Sequence, residues 1–141
     1  MEKIPICCVD VVVKSKKGVL IILRNDEPGK GAWAIPGGRV CKNEKLEDAA
    51  KRKALEETGL KIKVVKQLRV EETMFEQGPF EKIDGGVHTI NMTYLVEPIE
   101  ENAAIQLDGT SSEYKWIKSL EAEPNIHVYP RKVLEDSGVF N

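Results

Sequence analysis

Residues 37–60 read GGRVCKNEKLEDAAKRKALEETGL and contain the strongest structural signals in the chain. It opens with two glycines, and residues 44–58 contain neither glycine nor proline while good helix formers dominate. Gly59 stands where a helix favours a left-handed C-terminal cap. The stretch therefore predicts a glycine turn, a short loop and an α-helix over residues 44–58.

The inner face of this predicted helix is unusual, because it begins apolar and becomes charged toward its C-terminal end. At about 100° per residue, five side chains lie on the same side as Leu46. They are Ala49, Ala50, Lys53, Ala54 and Glu57. A stripe of small residues predicts close packing on a neighbouring element, and the two charged residues within it need partners there.

Two adjacent carboxylates, Glu56 and Glu57, end the helix where its dipole favours cations, and each costs about 0.3–1 kcal/mol at that position. One explanation is a pair of i,i+4 contacts, Arg52 with Glu56 and Lys53 with Glu57, each worth about 0.2–0.5 kcal/mol. The other is a divalent metal ion, which binds clustered carboxylate oxygens. The helix by itself leaves both explanations open.

Strand-like segments lie on both sides of the helix. Two β-branched runs within residues 4–24, IPICCVDVVV and VLIIL, flank a turn signal at residues 15–18 and predict a hairpin. Further strands are predicted at 33–35, where Pro36, Gly37 and Gly38 should break the run sharply, and at 61–73, 87–96 and 113–117. A short helix is predicted at 130–135, starting there or a few residues earlier. Loops are predicted at 25–31 and around Gly78, Pro79, Gly85 and Gly86. Strands between helices predict one α/β domain over residues 1–141, with a mixed sheet.

Composition excludes several classes of function. The 141 residues are 41% hydrophobic, which suffices for one core, and a formal charge of −2 is too weak to hold a nucleic acid. A small phosphorylated ligand needs only a few local cations and stays possible. The start MEKIPICCVDVVV lacks the pattern of a secretion signal, and no apolar run approaches about 18 residues, so neither export nor membrane insertion is expected.

The cysteines also argue for a cytoplasmic location. Cys7 and Cys8 are adjacent and Cys41 is distant, which fits neither a disulfide framework nor a zinc site, so we expect reduced thiols. Signatures of P-loop enzymes, zinc proteases and serine hydrolases are missing from the sequence.

Gly38 is followed by five residues and Glu44, then by seven residues and Arg52, and then by KALEETGL at residues 53–60. This pattern closely resembles the signature of the Nudix family, G-x5-E-x7-R-E-U-x-E-E-x-G-U, where U is aliphatic. Every fixed position matches except one. The resemblance implies the family's α/β/α sandwich with a mixed β-sheet, and a hydrolase of nucleoside diphosphate derivatives that depends on Mg²⁺ or Mn²⁺.

Roles follow from the resemblance only where residues match. Glu56, Glu57 and a backbone carbonyl at Gly37 are implied to bind the metal. Arg52 is implied to orient the carboxylates. The residues implied to be catalytic are Arg52, Glu57 and Arg39. The implied structural anchors of the loop are Gly38 and Glu44, whose carboxylate would accept backbone amides at the helix entrance.

The exception is Lys53, because the family carries there a third glutamate that acts as a metal ligand or general base. A cation can do neither. Its ammonium group either neutralises Glu57, contacts a ligand phosphate or lies along the helix, and we place it among the expected substrate-binding residues.

One branch of the family also lacks that glutamate, the GDP-mannose mannosyl hydrolases, which cleave between sugar carbon and phosphate oxygen. Residues 24–50, RNDEPGKGAWAIPGGRVCKNEKLEDAA, resemble the branch's segment R-x-x-x-P-x-x-G-x-W-x-x-P-G-G-R-V-x-K-x-E-x-L-x-x-A-x, and SSEYKWIKS and NIHVYPRKVL resemble its C-terminal pieces. The implied ligand is a nucleotide sugar, with Arg24, Arg39 and Arg52 contacting or countering its diphosphate. For Arg24 and Arg39 a surface role is the alternative. Analogy with the branch also implies a homodimer.

The branch takes its general base from a histidine just before an aromatic strand, where this chain has Ser111 or its neighbour. The histidines of this chain, His88 and His127, either take part in catalysis or serve structural hydrogen bonds. We expect His88 to bind substrate. Other candidates are the carboxylates Glu71, Glu72 and Glu113, and the aromatic rings Trp33, Phe75, Tyr94 and Trp116, which either stack on a base or pack in the core.

Three functions follow from these observations. The first is hydrolysis of a nucleotide sugar such as GDP-mannose or GDP-glucose. The second is ordinary pyrophosphate cleavage of ADP-ribose or a nucleoside triphosphate, with another glutamate replacing the one absent at Lys53. The third is binding of a nucleotide sugar without turnover.

Overall fold

The computed structural model describes residues 4–26, 30–75 and 87–140. Strands dominate these residues, and two α-helices and one short 3-10 helix, Leu120–Ala122, join them. In chain order the remaining elements are β1 (Ile6–Ser15), β2 (Gly18–Arg24), β3 (Trp33–Ala34), β4 (Gly37–Arg39), α1 (Leu46–Thr58), β5 (Ile62–Phe75), β6 (Val87–Pro98), β7 (Ser111–Ile117) and α2 (Val128–Ser137).

Strand β1 lies at the centre of the sheet and is the strand on which the site is built. It pairs in parallel with β6, from Ile6 opposite Thr89 to Val13 opposite Val96, and antiparallel with β4 and β2. The main path of the sheet is β3-β2-β1-β6-β5, with β4 added to β1 and β7 added to β2. Because parallel and antiparallel pairs coexist, the predicted mixed sheet is confirmed.

Alternation along β1 sends its side chains into two cores on opposite faces of the sheet. Val9, Val11 and Val13 are fully buried in the cluster that contains the alanine stripe of α1. Val12 is fully buried in the cluster that contains Val133 of α2. The helices therefore cover both faces, which confirms the expected α/β/α arrangement. None of the helices in the described residues is long and apolar enough to span a membrane.

The glycine turn is the main difference between the prediction and the structure. The predicted break after the apolar run is present, since β3 ends at Ala34, but Gly37 and Gly38 form β4 instead of a turn, opposite Asp10 and Val9 of β1. The turn prediction was wrong because the hydrogen bonds of this segment come from β1, far away in the sequence, and local turn preference does not include them.

The start of α1 also differs from the prediction, whereas α2 starts within the few residues before 130 that the prediction allowed. Helix α1 begins at Leu46 instead of residue 44, since Glu44 uses its side chain in the preceding loop. Helix α2 begins at Val128, because His127 caps it by accepting a hydrogen bond from the Tyr129 amide. The predicted loop around Gly78, Pro79, Gly85 and Gly86 lies outside the described residues.

The two-sided core leads to a stability prediction. Leu20 is fully buried on β2, so Leu20→Ala removes packed methyl groups and is expected to lower the free energy of unfolding by about 2–5 kcal/mol. Leu55 is 48% exposed on α1, so Leu55→Ala is expected to cost less than about 1 kcal/mol. Urea denaturation measures both. Equal losses would contradict this assignment of the core.

Candidate active site

Arg52 connects helix α1 with strand β4 and the loop between them. Its Nε and Nη2 donate to the two oxygens of Glu44 at 2.7 and 3.0 Å, and Nη2 also donates to the backbone oxygen of Arg39 at 2.8 Å. Its Nη1 lies 3.3 Å from both carboxylate oxygens of Glu56. One planar guanidinium group thus holds a loop, a strand end and a candidate metal ligand in fixed relation.

Glu44 closes the loop that leads into α1. Its Oε1 accepts a hydrogen bond from the Cys41 amide at 3.0 Å, as a loop anchor would. The hydrogen bonds from Arg52 and from the Cys41 backbone lower the pKa of Glu44 to about 2. The carboxylate therefore stays charged over the physiological range, and it in turn raises the pKa of Arg52.

Glu56 and Glu57 converge on one cation, the ammonium group of Lys53. Lys53 Nζ lies 3.1 Å from Glu57 Oε2 and 3.3 Å from Glu56 Oε1. The side chain of Glu57 is 9% exposed and that of Glu56 is 46% exposed. The i,i+4 contacts considered from the sequence are therefore present, and they bring both carboxylates to a common point.

Burial and charge act in opposite directions on these three groups. Burial raises the pKa of Glu57, although Lys53 and a backbone hydrogen bond from Gly37 oppose the shift. For Glu56, a desolvation effect that would raise the pKa is outweighed by Lys53 and Arg52, which lower it. Burial works to lower the pKa of Lys53, but the two carboxylates raise it overall. Lys53 is therefore a charged ammonium group at neutral pH.

Each glycine of β4 makes room for a side chain from a neighbouring element. A Cβ atom on Gly38 would lie 2.5 Å from Lys53 Cε, so the lysine stem passes directly over this residue. A Cβ atom on Gly37 would lie 2.6 Å from the Val9 backbone oxygen and 2.7 Å from Asp10 Oδ1. Rigid backbone therefore requires glycine at position 37, whereas the neighbour of Gly38 is the flexible end of a lysine side chain.

The structure adds one residue that our reading of the sequence missed, Asp10. Its Oδ2 accepts hydrogen bonds from Asn91 Nδ2 at 2.9 Å and from the Tyr129 hydroxyl at 3.3 Å. Burial raises the pKa of Asp10 to about 6, although these two hydrogen bonds and the charge of Arg24 work to lower it. The available signal was a carboxylate inside the apolar run CCVDVVV, where a strand residue needs a specific reason to be charged.

A chain of hydrogen bonds extends from Asp10 across β6 to β5. Asn91 Oδ1 accepts from Thr89 Oγ1 at 2.6 Å, and the Thr89 hydroxyl also bonds to that of Thr73. Tyr129 of α2 covers the other side, and burial together with Asp10 raises the pKa of its hydroxyl. The α2 face of the sheet is thus polar next to β4 and apolar farther along.

The other predicted site residues are spread around this centre. Arg24 ends β2 opposite Ser111, which is buried, and its Nε donates to the backbone oxygen of Asp26 at 3.3 Å. Arg39 is exposed at the end of β4. His88 Nε2 lies 2.8 Å from Glu72 Oε2, on β6 and β5.

Some of the spare candidates have structural contacts instead. His127 caps α2, and Glu71 pairs with Arg69 on β5, whereas Glu113 is exposed on β7. Tyr94 is buried in the core on the α1 side, and Trp116 packs against the same core. Trp33 packs against the core on the α2 side, and Lys115 Nζ lies 4.7 Å from the centre of its ring. The side chain of Phe75 lies outside the described residues.

The donor chemistry of Glu56 and Glu57 fits a divalent ion. Both carboxylates already direct oxygens at one cation, and Mg²⁺ is commonly bound by one or two carboxylates with water and substrate phosphates completing its shell. In residues 4–26, 30–75 and 87–140, no three His, Cys, Asp or Glu side chains form a cluster that could hold a metal ion. Backbone, substrate and water oxygens would therefore have to supply the remaining ligands.

This fold and this site define a Nudix-type hydrolase, with a glycine strand, a loop held by Glu44 and Arg52, and a helix ending in paired carboxylates. Residues 6–136 match the family described as the NUDIX domain. The chain belongs to the Nudix family, as the resemblance implied, and it is a hydrolase of that family.

Similar proteins agree with this assignment. The chain is 34% identical over 135 residues to the low-salt glycan biosynthesis protein Agl8 of Haloferax volcanii, covering 96% of this chain and 83% of that protein. It is 28% identical over 132 residues to an ADP-ribose pyrophosphatase of Methanocaldococcus jannaschii, covering 94% and 72%. The crystal structure of a MutT Nudix hydrolase from Burkholderia pseudomallei has the same fold, with a TM-score of 0.78 at 22% identity, over 94% of this chain and 98% of that one.

The two glycines of β4 are expected to respond differently to substitution. Gly37→Ala places Cβ against the backbone oxygen of Val9, which cannot move aside, so a loss of about 1–3 kcal/mol in the free energy of unfolding is expected. Gly38→Ala meets only the flexible end of Lys53 and should cost less than about 1 kcal/mol. Chemical denaturation of both variants measures these two losses in the free energy of unfolding. A larger loss for Gly38→Ala would show that β4 is positioned differently.

Asp10 should make the stability depend on pH. Its folded pKa of about 6 exceeds the ordinary 3.8, so the folded protein binds this proton more tightly than the unfolded chain does. The resulting stabilisation is fully present below pH 3.8 and is lost as the pH rises through 6, on the order of 1–3 kcal/mol. Asp10→Asn should remove this part of the slope in urea unfolding between pH 4 and 7, while Asp48→Asn, an exposed control on α1, should keep it. An unchanged slope in Asp10→Asn would disprove the assignment.

Proposed function

We propose that this Nudix hydrolase cleaves a nucleoside diphosphate sugar, with GDP-mannose and GDP-glucose as the first substrates to test. The observation that carries the proposal is the cluster of Lys53, Glu56 and Glu57, in which an ammonium group takes the place of the family's third glutamate. The branch that acts on GDP-mannose also lacks this glutamate, and residues 24–50 resemble that branch as well. The Haloferax relative is named a glycan biosynthesis protein, which is compatible with a sugar-containing substrate.

Glu56, Glu57 and the backbone carbonyl of Gly37 are the proposed ligands of Mg²⁺ or Mn²⁺. When bound, such an ion neutralises charge on a diphosphate and makes the nucleoside diphosphate a better leaving group. The buried position of Glu57 excludes water from one side of this centre. The guanidinium group of Arg52 is fixed by Glu44 and in turn holds Glu56 in place.

The remaining residues have proposed roles around the diphosphate and the sugar. Arg39 at the end of β4 and Arg24 at the end of β2 supply guanidinium groups for phosphate oxygens, a geometry that planar forks suit. His88, paired with Glu72, is retained as a proposed substrate contact.

Ordinary pyrophosphate cleavage is the second candidate function. It is favoured by the Methanocaldococcus relative, which is named an ADP-ribose pyrophosphatase. In this case another glutamate must replace the one absent at Lys53, and nucleoside monophosphate is the product. Family membership favours either hydrolase over a protein that binds nucleotide sugars without turnover. The cytoplasmic location and the homodimer stay predictions.

Hydrolysis in water enriched in ¹⁸O separates the two candidates. Attack on the sugar carbon places the label in the released sugar and leaves the nucleoside diphosphate unlabelled. Attack on phosphorus places the label in a phosphate group. Mass spectrometry of the products of a Mg²⁺-dependent substrate panel reads the result, and labelled phosphate from every substrate would disprove the sugar hydrolase.

Glu57→Gln tests whether the paired carboxylates do this chemistry. The substitution keeps the size of the side chain but removes the charge that would bind the ion, so kcat is expected to fall about 10²–10⁴-fold. Glu47→Gln changes an exposed carboxylate in the first turn of the same helix and should leave kcat within about twofold. Steady-state kinetics on the best substrate of the panel measure both variants, and full activity in Glu57→Gln would remove the basis of the proposal.

A further inference from the structure

Lys53 occupies the point at which the two carboxylates of the site converge. Its Nζ is 3.1 Å from Glu57 Oε2 and 3.3 Å from Glu56 Oε1, within the range of ion pairs with both. Its stem crosses β4 at Gly38, where any side chain larger than hydrogen would collide with Cε and Nζ. The lysine is therefore held by contacts along its length and at its end.

This contact is not an ordinary surface pair. Exposed ion pairs contribute little because water screens them, but here the lysine side chain is 19% exposed and that of Glu57 is 9% exposed. Lys51, two residues earlier on the same helix, is exposed. The difference between the two lysines shows that the position of Lys53 on the inner face of α1, over Gly38, keeps its ammonium group in the site.

We propose that the Lys53 ammonium group is a tethered counter-ion that a divalent cation must displace in order to bind Glu56 and Glu57. The inference rests on the ion site of the proposed function and adds to it a competition within the chain. A Mg²⁺ or Mn²⁺ ion binds oxygen at roughly 2.0–2.2 Å, and the ammonium group already contacts one oxygen of each carboxylate at the point where an ion bridging them would lie. Repulsion between the two cations adds to this exclusion.

The competition has two consequences for the protein. Without a divalent ion, the buried Glu57 keeps a partner, so the protein avoids the cost of an uncompensated buried charge. With a divalent ion, the displaced ammonium group stays tethered beside β4, where the proposed diphosphate lies, and can pair with a phosphate oxygen. A substrate that brings its own negative charge then favours the displaced position, which couples ion binding to substrate binding.

Binding of Mn²⁺ without substrate tests the proposal. The dissociation constant is measured from the electron paramagnetic resonance signal of unbound Mn²⁺ for the unmodified protein and for Lys53→Met, Lys53→Arg and Lys51→Met. Lys53→Met should bind Mn²⁺ at least about tenfold more tightly, because the competing charge is gone. Lys53→Arg keeps a cation and should stay near the unmodified protein. Lys51→Met removes the same charge from the same helix and should change the constant by less than about twofold.

Failure of the proposed competition and failure of the proposed substrate give different results. Mn²⁺ affinity that is unchanged or weaker in Lys53→Met, an equal gain in Lys51→Met, or no Mn²⁺ binding in any protein would overturn the inference. Lys53→Gln, which keeps hydrogen bonds to both carboxylates, replaces Lys53→Met if that variant does not fold. Tighter Mn²⁺ binding in the neutral variants, with no turnover of any nucleotide sugar by the unmodified protein, would support the competition and disprove the proposed substrate.

Discussion

The Arg52 guanidinium group is the interaction on which the rest of the site depends. It faces Glu44 in the loop, the backbone of Arg39 at the end of β4, and Glu56 one helical turn farther along α1. Its planar fork satisfies these partners at once because its donors point in fixed directions. A lysine at this place would offer one point charge and could not hold the loop, the strand and the carboxylate together.

Strand β4 separates two charged regions, which lie on opposite faces of the same short strand. Lys53 passes over Gly38 on the α1 face, and Asp10 lies against Gly37 on the α2 face. On the first side an ammonium group compensates two carboxylates, while on the second a carboxylate is held by neutral donors. This difference explains why the two carboxylates keep Lys53 charged in spite of burial, whereas burial raises the pKa of Asp10 to about 6.

Much of the fold and part of the site could be predicted. The 3.6-residue period placed Lys53 and Glu57 on the inner face of α1, where Glu57 is indeed buried, because helix geometry is local. The motif that starts at Gly38 was enough to identify the family, since its spacing reflects one loop and one helix. The same local reasoning failed for Gly37 and Gly38, whose turn preference is overridden by pairing with β1.

The sequence by itself determined the helix, its charged inner face and the family to which the chain belongs. Only the tertiary structure decided which distant groups meet. Asp10 bonds to Asn91 and Tyr129, which are 81 and 119 residues away along the chain, so no local pattern could join them. The tertiary structure also showed that the ammonium group of Lys53 contacts both carboxylates, as expected if it neutralises Glu57. The physical reason is that periodicity and spacing depend on neighbouring residues, whereas burial and charge compensation depend on strands and helices brought together by the sheet.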